Sequence, residues 1–138
     1  MSTDNLDNLV KTGGLKAGLA TDGEVRGLVD RGLVKLTDCK QANLSTDSRF
    51  DLAYNAAHAL CLAALRHAGY RSENRYLVFQ CSQHTLGLEP EYWRVLSSAH
   101  NERNIAEYEG DIMINEQLVA ALIRVVAIVA ERIQKQVI

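Results

Sequence analysis

Between Trp93 and Tyr108 the chain concentrates its most reactive side chains at helical spacing. At about 100° per residue, Trp93, Leu96, His100, Arg103, Asn104, Glu107 and Tyr108 fall within an arc of roughly 140°. The stripe begins apolar and then turns polar, where a core-facing helix stays apolar throughout. An imidazole, a guanidinium, an amide, a carboxylate and a phenol on one face are costly to bury without partners. A second helix, a second subunit or a ligand must satisfy them. The imidazole suits acid–base work and the guanidinium suits an anion. The plain alternative is a buried ion-pair cluster, with Arg103 and Glu107 as an i, i+4 pair and Asn104 bonded to a neighbouring helix. Because Tyr108-Glu109-Gly110-Asp111 ends the helix, the stripe lies where loops open clefts.

Other chemistries are absent from the spacing. The four histidines (His58, His67, His84 and His100) show no H-x-x-x-H or H-x-x-E-H pattern. His100 and Glu107 are two turns apart, too far for routine chelation by one helix. There is no Walker loop, no G-x-G-x-x-G and no G-x-S-x-G, so no metal or cofactor is expected. His58 falls at the edge of an apolar face and reads either as a core-edge histidine or as a group facing the Arg103 stripe. His67 and His84 sit near helix ends, where protonated rings favour the C-terminal dipole.

The elements that must hold the stripe read as helices. Hydrophobic residues make up 47% of 138 residues, with one proline, which suits a single ordered domain with a sizeable core. Residues 1–20 form a peripheral segment with a short apolar turn at Leu6, Leu9 and Val10. Thr21 and Glu24 have capping-box spacing before a helix carrying Val25, Leu28, Val29, Gly32 and Leu36. Ser45 to Ser48 offer N-caps for a long helix whose face runs Phe50, Ala53, Tyr54, Ala57, Cys61, Ala64, Leu65 and Ala68. Gly69 stops it. A further segment spans Asn74 to Leu86, Pro90 opens the Trp93 helix, and Asn115 caps a last helix to about Gln136. That last helix is apolar on nearly all sides, so it is either central or shared with a partner subunit. No strand alternation appears. The expected fold is an all-α bundle of about five helices, a four-helix up-and-down core plus the short N-terminal helix.

Composition limits the partners. The net charge of −2 supplies no overall field toward nucleic acid. Arginine nevertheless outnumbers lysine ten to five, and its planar fork suits phosphate. Arg66, Arg71 and Arg75 cluster in sequence, most simply as solvated surface arginines. Cys39, Cys61 and Cys81 are an odd count without C-x-x-C spacing, and the opening residues have no basic-then-apolar leader pattern. Free thiols and a cytoplasmic, non-membrane location are expected, since Arg124 interrupts the apolar stretch from Leu118 to Ala130.

Two stretches resemble the HEPN domains of prokaryotes, small all-α proteins often encoded beside minimal nucleotidyltransferases or in toxin–antitoxin loci. Phe50-Asp51-Leu52-Ala53-Tyr54-Asn55-Ala56-Ala57-His58, continuing to Ala63-Ala64-Leu65 and Gly69-Tyr70-Arg71, is similar to the family's second helix and its glycine stop. Arg103-Asn104-x-x-x-Tyr108 is similar to its Arg-Asn signature. Together they span roughly residues 45 to 135. The resemblance implies a homodimer, a nucleotide or RNA ligand, and a nucleotidyltransferase or antitoxin partner. Ribonucleases of the family carry Arg-x4–6-His, in which histidine moves protons and arginine steadies the phosphate without metal. Here Tyr108 stands in the histidine slot, and a phenol with a reference pKa near 10 is a poor proton shuttle. Arg94 and His100 fit the pattern by letter but point about 120° apart. The reading that follows is a non-catalytic binder using Arg103, Asn104, Glu107, Tyr108 and His58. The alternatives are a metal-independent endoribonuclease using His100 and Arg103, and a plain interaction subunit.

Overall fold

The structure, a computed structural model, describes residues 4–109 and 114–137, with side chains described for 4–105 and 114–137. Among these residues lie six helices: α1 (Asp4–Lys11), α2 (Asp22–Asp38), α3 (Thr46–His67), α4 (Arg75–Thr85), α5 (Pro90–Glu109) and α6 (Glu116–Val137). The all-α bundle expected from periodicity is present. The 74–85 segment adds a full helix, bringing the number to six. Two short strands, β1 (Lys16–Ala17) and β2 (Tyr70–Arg71), pair antiparallel with Lys16 opposite Arg71. A two-residue strand is too short to show a period of two, which is why alternation did not reveal it.

Local chemistry sets the helix ends. Thr21 accepts the Glu24 backbone N–H at 3.1 Å, Ser45 accepts that of Ser48 at 3.1 Å, and Asn115 accepts that of Leu118 at 2.8 Å. Asn74 does the same for α4 through Leu77. Only half of the capping box forms at α2, because the Glu24 carboxylate turns to Arg66 at 3.2 Å. Gly69 follows α3 with φ of 96°, a left-handed conformation that glycine adopts without steric cost.

Helix α3 is central, packed against α2, α4 and α6, while α5 rests mainly on α4 and α6. The apolar girth of α6 pointed to a central helix or one shared with a partner subunit; within the chain the central place belongs to α3. Its alanines at 53, 56, 57, 59, 63 and 64 are all buried, so it is enclosed on nearly every side and lets neighbours approach closely. On α6, Val119, Leu122, Val126, Val129 and Ile133 are buried, and Leu118 and Ile123 remain half-buried. Gly32 makes the α2–α3 contact possible: a Cβ there would lie 2.5 Å from Leu60 Cγ. At the far end, Arg49 of α3 holds Glu116 of α6, with its Nη2 2.6 Å from Oε2, and Thr46 donates to the same carboxylate. This clamp ties the starts of α3 and α6 together. Leu6 and Leu15 are buried, and Tyr70 donates to Asp7 at 2.5 Å, which pins the N-terminal segment to β2.

Cys39, Cys61 and Cys81 are free and buried. Among the described residues no helix is long and apolar enough to cross a membrane.

Candidate functional site

The fold brings α3, α4 and α5 together around one imidazole. His100, half-buried on α5, lies with its Nδ1 3.0 Å from the Tyr54 hydroxyl of α3. Asn104, one turn further along α5, places its amide Nδ2 3.2 Å from His100 Nε2. An amide N–H only donates, so Nε2 is the accepting nitrogen. The ring proton therefore sits on Nδ1 and is donated to the Tyr54 oxygen. Burial, and after it the positive Arg75, lower the pKa of His100 below the usual histidine value. Both effects favour the neutral ring, and the Asn104 bond requires it.

Two guanidiniums converge on Tyr54. The Arg103 Cζ lies 4.8 Å from the tyrosine ring centroid and the Arg75 Cζ lies 5.7 Å from it, within cation–π range. The tyrosine is 2% exposed, so both charges rest against the protein interior. Arg75 also donates to Asn55 Oδ1 at 3.3 Å. Arg103 Nη1 is shielded from water and makes no hydrogen bond; the Asp51 carboxylate lies 3.6 Å away. Among the described residues, two permanent cations, Arg75 and Arg103, share a neutral imidazole and the Asp51 carboxylate.

Aromatic rings close the other side. Tyr76 of α4 meets Trp93 of α5 edge-on at 5.7 Å and His100 at 5.5 Å. Phe79 backs the imidazole at 6.1 Å and touches the His58 ring edge-on at 5.9 Å. Tyr76 is 39% exposed, so it presents ring surface to solvent beside the cations.

Of the stripe residues, the structure unites His100, Arg103 and Asn104 and places Trp93 one ring away. Arg103 faces Asp51 on α3; its expected i, i+4 partner on its own helix is Glu107. Glu107 and Tyr108 lie outside the residues whose side chains are described. His58 is separated from His100 by Phe79 and lines a neighbouring groove; burial first and Arg75 second lower its pKa to about 4. Arg94 is exposed and takes no part.

Sequence reasoning passed over Tyr54 and Arg75. Tyr54 fitted an apolar face, yet a buried phenol needs a polar partner, and that was the available signal. The Arg66–Arg71–Arg75 group divides by role. Arg66 is structural, donating to the carbonyls of Gly18 and Leu19 and to Glu24. Arg75 belongs to the site. No group of three or more histidine, cysteine, aspartate or glutamate side chains placed to hold a metal occurs among the described residues. In comparisons with protein-family models, curated proteins and solved structures, the chain matches none.

Proposed function

We propose that this protein is a HEPN-like binder of nucleotide phosphate, free or within RNA, and that the Arg75–Arg103 pair against Tyr54 is the binding site. The observation that carries the reading is Arg103 Nη1, a charged donor shielded from water and lacking a hydrogen bond, beside a second guanidinium on the same ring. A phosphate oxygen supplies the missing acceptor. Each fork can engage two oxygens. Tyr76 and Trp93 offer ring surface on which a base stacks.

Binding is favoured over cutting because both nitrogens of His100 are already engaged, one by Tyr54 and one by Asn104. A specific observation also supports the ribonuclease reading: a neutral imidazole with lowered pKa beside two arginines is a competent base once Asn104 swings away. Incubating labelled RNA with the protein in EDTA separates the two. Cleavage lost in both His100→Ala and Arg103→Ala establishes the enzyme; intact RNA, with a mononucleotide raising the melting temperature of the wild type but not of Arg103→Gln, establishes the binder. If no nucleotide or RNA shifts the wild type and no RNA is cut, the site is internal packing and the interaction-subunit reading replaces both. The resemblance to HEPN domains extends the proposal to a homodimer, with a nucleotidyltransferase or antitoxin as partner. Sedimentation of the purified chain checks the first, and co-purification with the product of a neighbouring gene checks the second.

A further inference from the structure

His100 is held at both ring nitrogens by groups that together demand one protonation state. Its Nδ1–H is donated to the Tyr54 oxygen at 3.0 Å, and its Nε2 accepts from the Asn104 amide at 3.2 Å. A protonated ring carries a hydrogen on both nitrogens, so it no longer accepts from Asn104. The tie is nevertheless convertible. Turning the Asn104 amide about its last torsion exchanges Nδ2 for Oδ1 at nearly the same place, and the oxygen then accepts from Nε2–H. The same two residues thus hold either the neutral or the charged ring without moving a helix. Charge decides which form prevails. Among the described residues, the charged and titratable groups packed about His100 are Tyr54 of α3, Arg75 and Tyr76 of α4, and Arg103 on its own helix. Asp51 of α3 lies 3.6 Å from Arg103, and His58 of α3 lies across Phe79. Burial first and Arg75 second favour the neutral ring. An anion held on Arg75 reverses the second effect, because an opposite charge within about 4–6 Å favours the charged form of a group.

We infer that the site binds its anion together with a proton. When a phosphate settles between Arg75 and Arg103, His100 takes up one proton from solvent, Asn104 turns its amide, and the imidazolium becomes a third positive charge at the site. Binding therefore strengthens as the pH falls. The inference rests on the phosphate-site reading above and adds to it a regulation: the charge of the ring follows the presence of the anion. A merely structural histidine, locked by Tyr54 and Asn104, would stay neutral whether or not an anion is bound.

The test uses the full chain and a 2′-O-methyl uridine dinucleotide. Its single phosphodiester keeps a fixed charge from about pH 5.5 to pH 8 and has no 2′-hydroxyl to attack it. Calorimetry at about pH 6.5, in two buffers of different ionisation enthalpy, counts the protons taken up per ligand bound. A net uptake is expected. By NMR the His100 ring should titrate about one pH unit or more higher in the complex than in the free protein. The wild type should bind at least about threefold tighter at pH 5.5 than at pH 8, which is what a rise of that size yields. His100→Gln, checked for folding by a melting curve, should lose this gain. His58→Gln should keep it, because His58, with its pKa lowered to about 4, charges below this window. Any general effect of acid on the rest of the chain persists in His100→Gln, so the difference isolates the ring. If the dinucleotide binds without proton uptake and the His100 titration does not move, the linkage is overturned and the phosphate site stands. Uptake that persists in His100→Gln overturns the assignment to His100. If the dinucleotide binds at no pH, the phosphate reading falls and the linkage falls with it.

Discussion

His58 should make this fold sensitive to mild acid, and the effect can be sized. Its ring packs edge-on against Phe79 and faces Arg75 of α4, with Arg31 and Lys35 of α2 lining the same groove. Burial and Arg75 lower its pKa from 6.5 to about 4. The unfolded chain therefore binds a proton between those pH values that the folded chain does not. Stability is full above about pH 6.5 and declines as pH falls through about 4. At 1.36 kcal/mol per unit the ceiling is about 3 kcal/mol, and residual solvent contact at the ring reduces the expectation to about 2 kcal/mol. His100 shifts in the same direction, so the wild-type slope alone does not isolate His58. The difference between the wild type and His58→Gln does. Urea unfolding of both from pH 8 to pH 4 should show the variant gaining about 2 kcal/mol relative to the wild type. Curves that run parallel, or a His58 ring titrating near 6.5 by NMR, would refute the reasoning.

Other outcomes follow from particular contacts. Gly32→Ala should destabilise by about 1–2 kcal/mol in urea melts, because the new methyl meets Leu60 and the cost of overpacking exceeds the gain in helix propensity. Gly27→Ala on the same helix meets nothing within 4 Å and should stabilise by about 0.5–1 kcal/mol. Asn104→Asp replaces a donor to His100 Nε2 with an acceptor, so the ring should favour its charged form and titrate above its wild-type value by NMR. Burial pushes the Cys61 thiol up to about 12 and the Cys81 thiol to about 11, so a thiol reagent at pH 8 should label them only after unfolding.

Features set by near neighbours in the chain were legible from the residues alone. Thr21, Ser45 and Asn115 announce helix starts because their side-chain oxygens act three residues ahead, and Gly69 announces a stop because its backbone turns left-handed. The grouping of His100, Arg103 and Asn104 was legible for the same reason, since positions three and four apart share a helix face. What joins them was not. Tyr54 lies 46 residues from its hydrogen-bond partner His100, and Arg75 reaches the site from a helix with no periodic link to α5. The pairing of Arg103 with Asp51 likewise depends on how α5 settles against α3. The central place of α3 follows from packing: its many alanines read as a modest apolar face, but their small size is what lets three helices close around it.

The account turns on whether Arg103 holds a phosphate. The direct measurement is the dissociation constant of a fluorescein-labelled uridine hexanucleotide at fixed 0.1 M salt, by anisotropy, for the wild type and for Arg103→Gln. Losing one charge-assisted fork should weaken binding by about ten- to a hundredfold, equivalent to about 1.5–3 kcal/mol. Equal constants for the two proteins, with the variant folded, would contradict it.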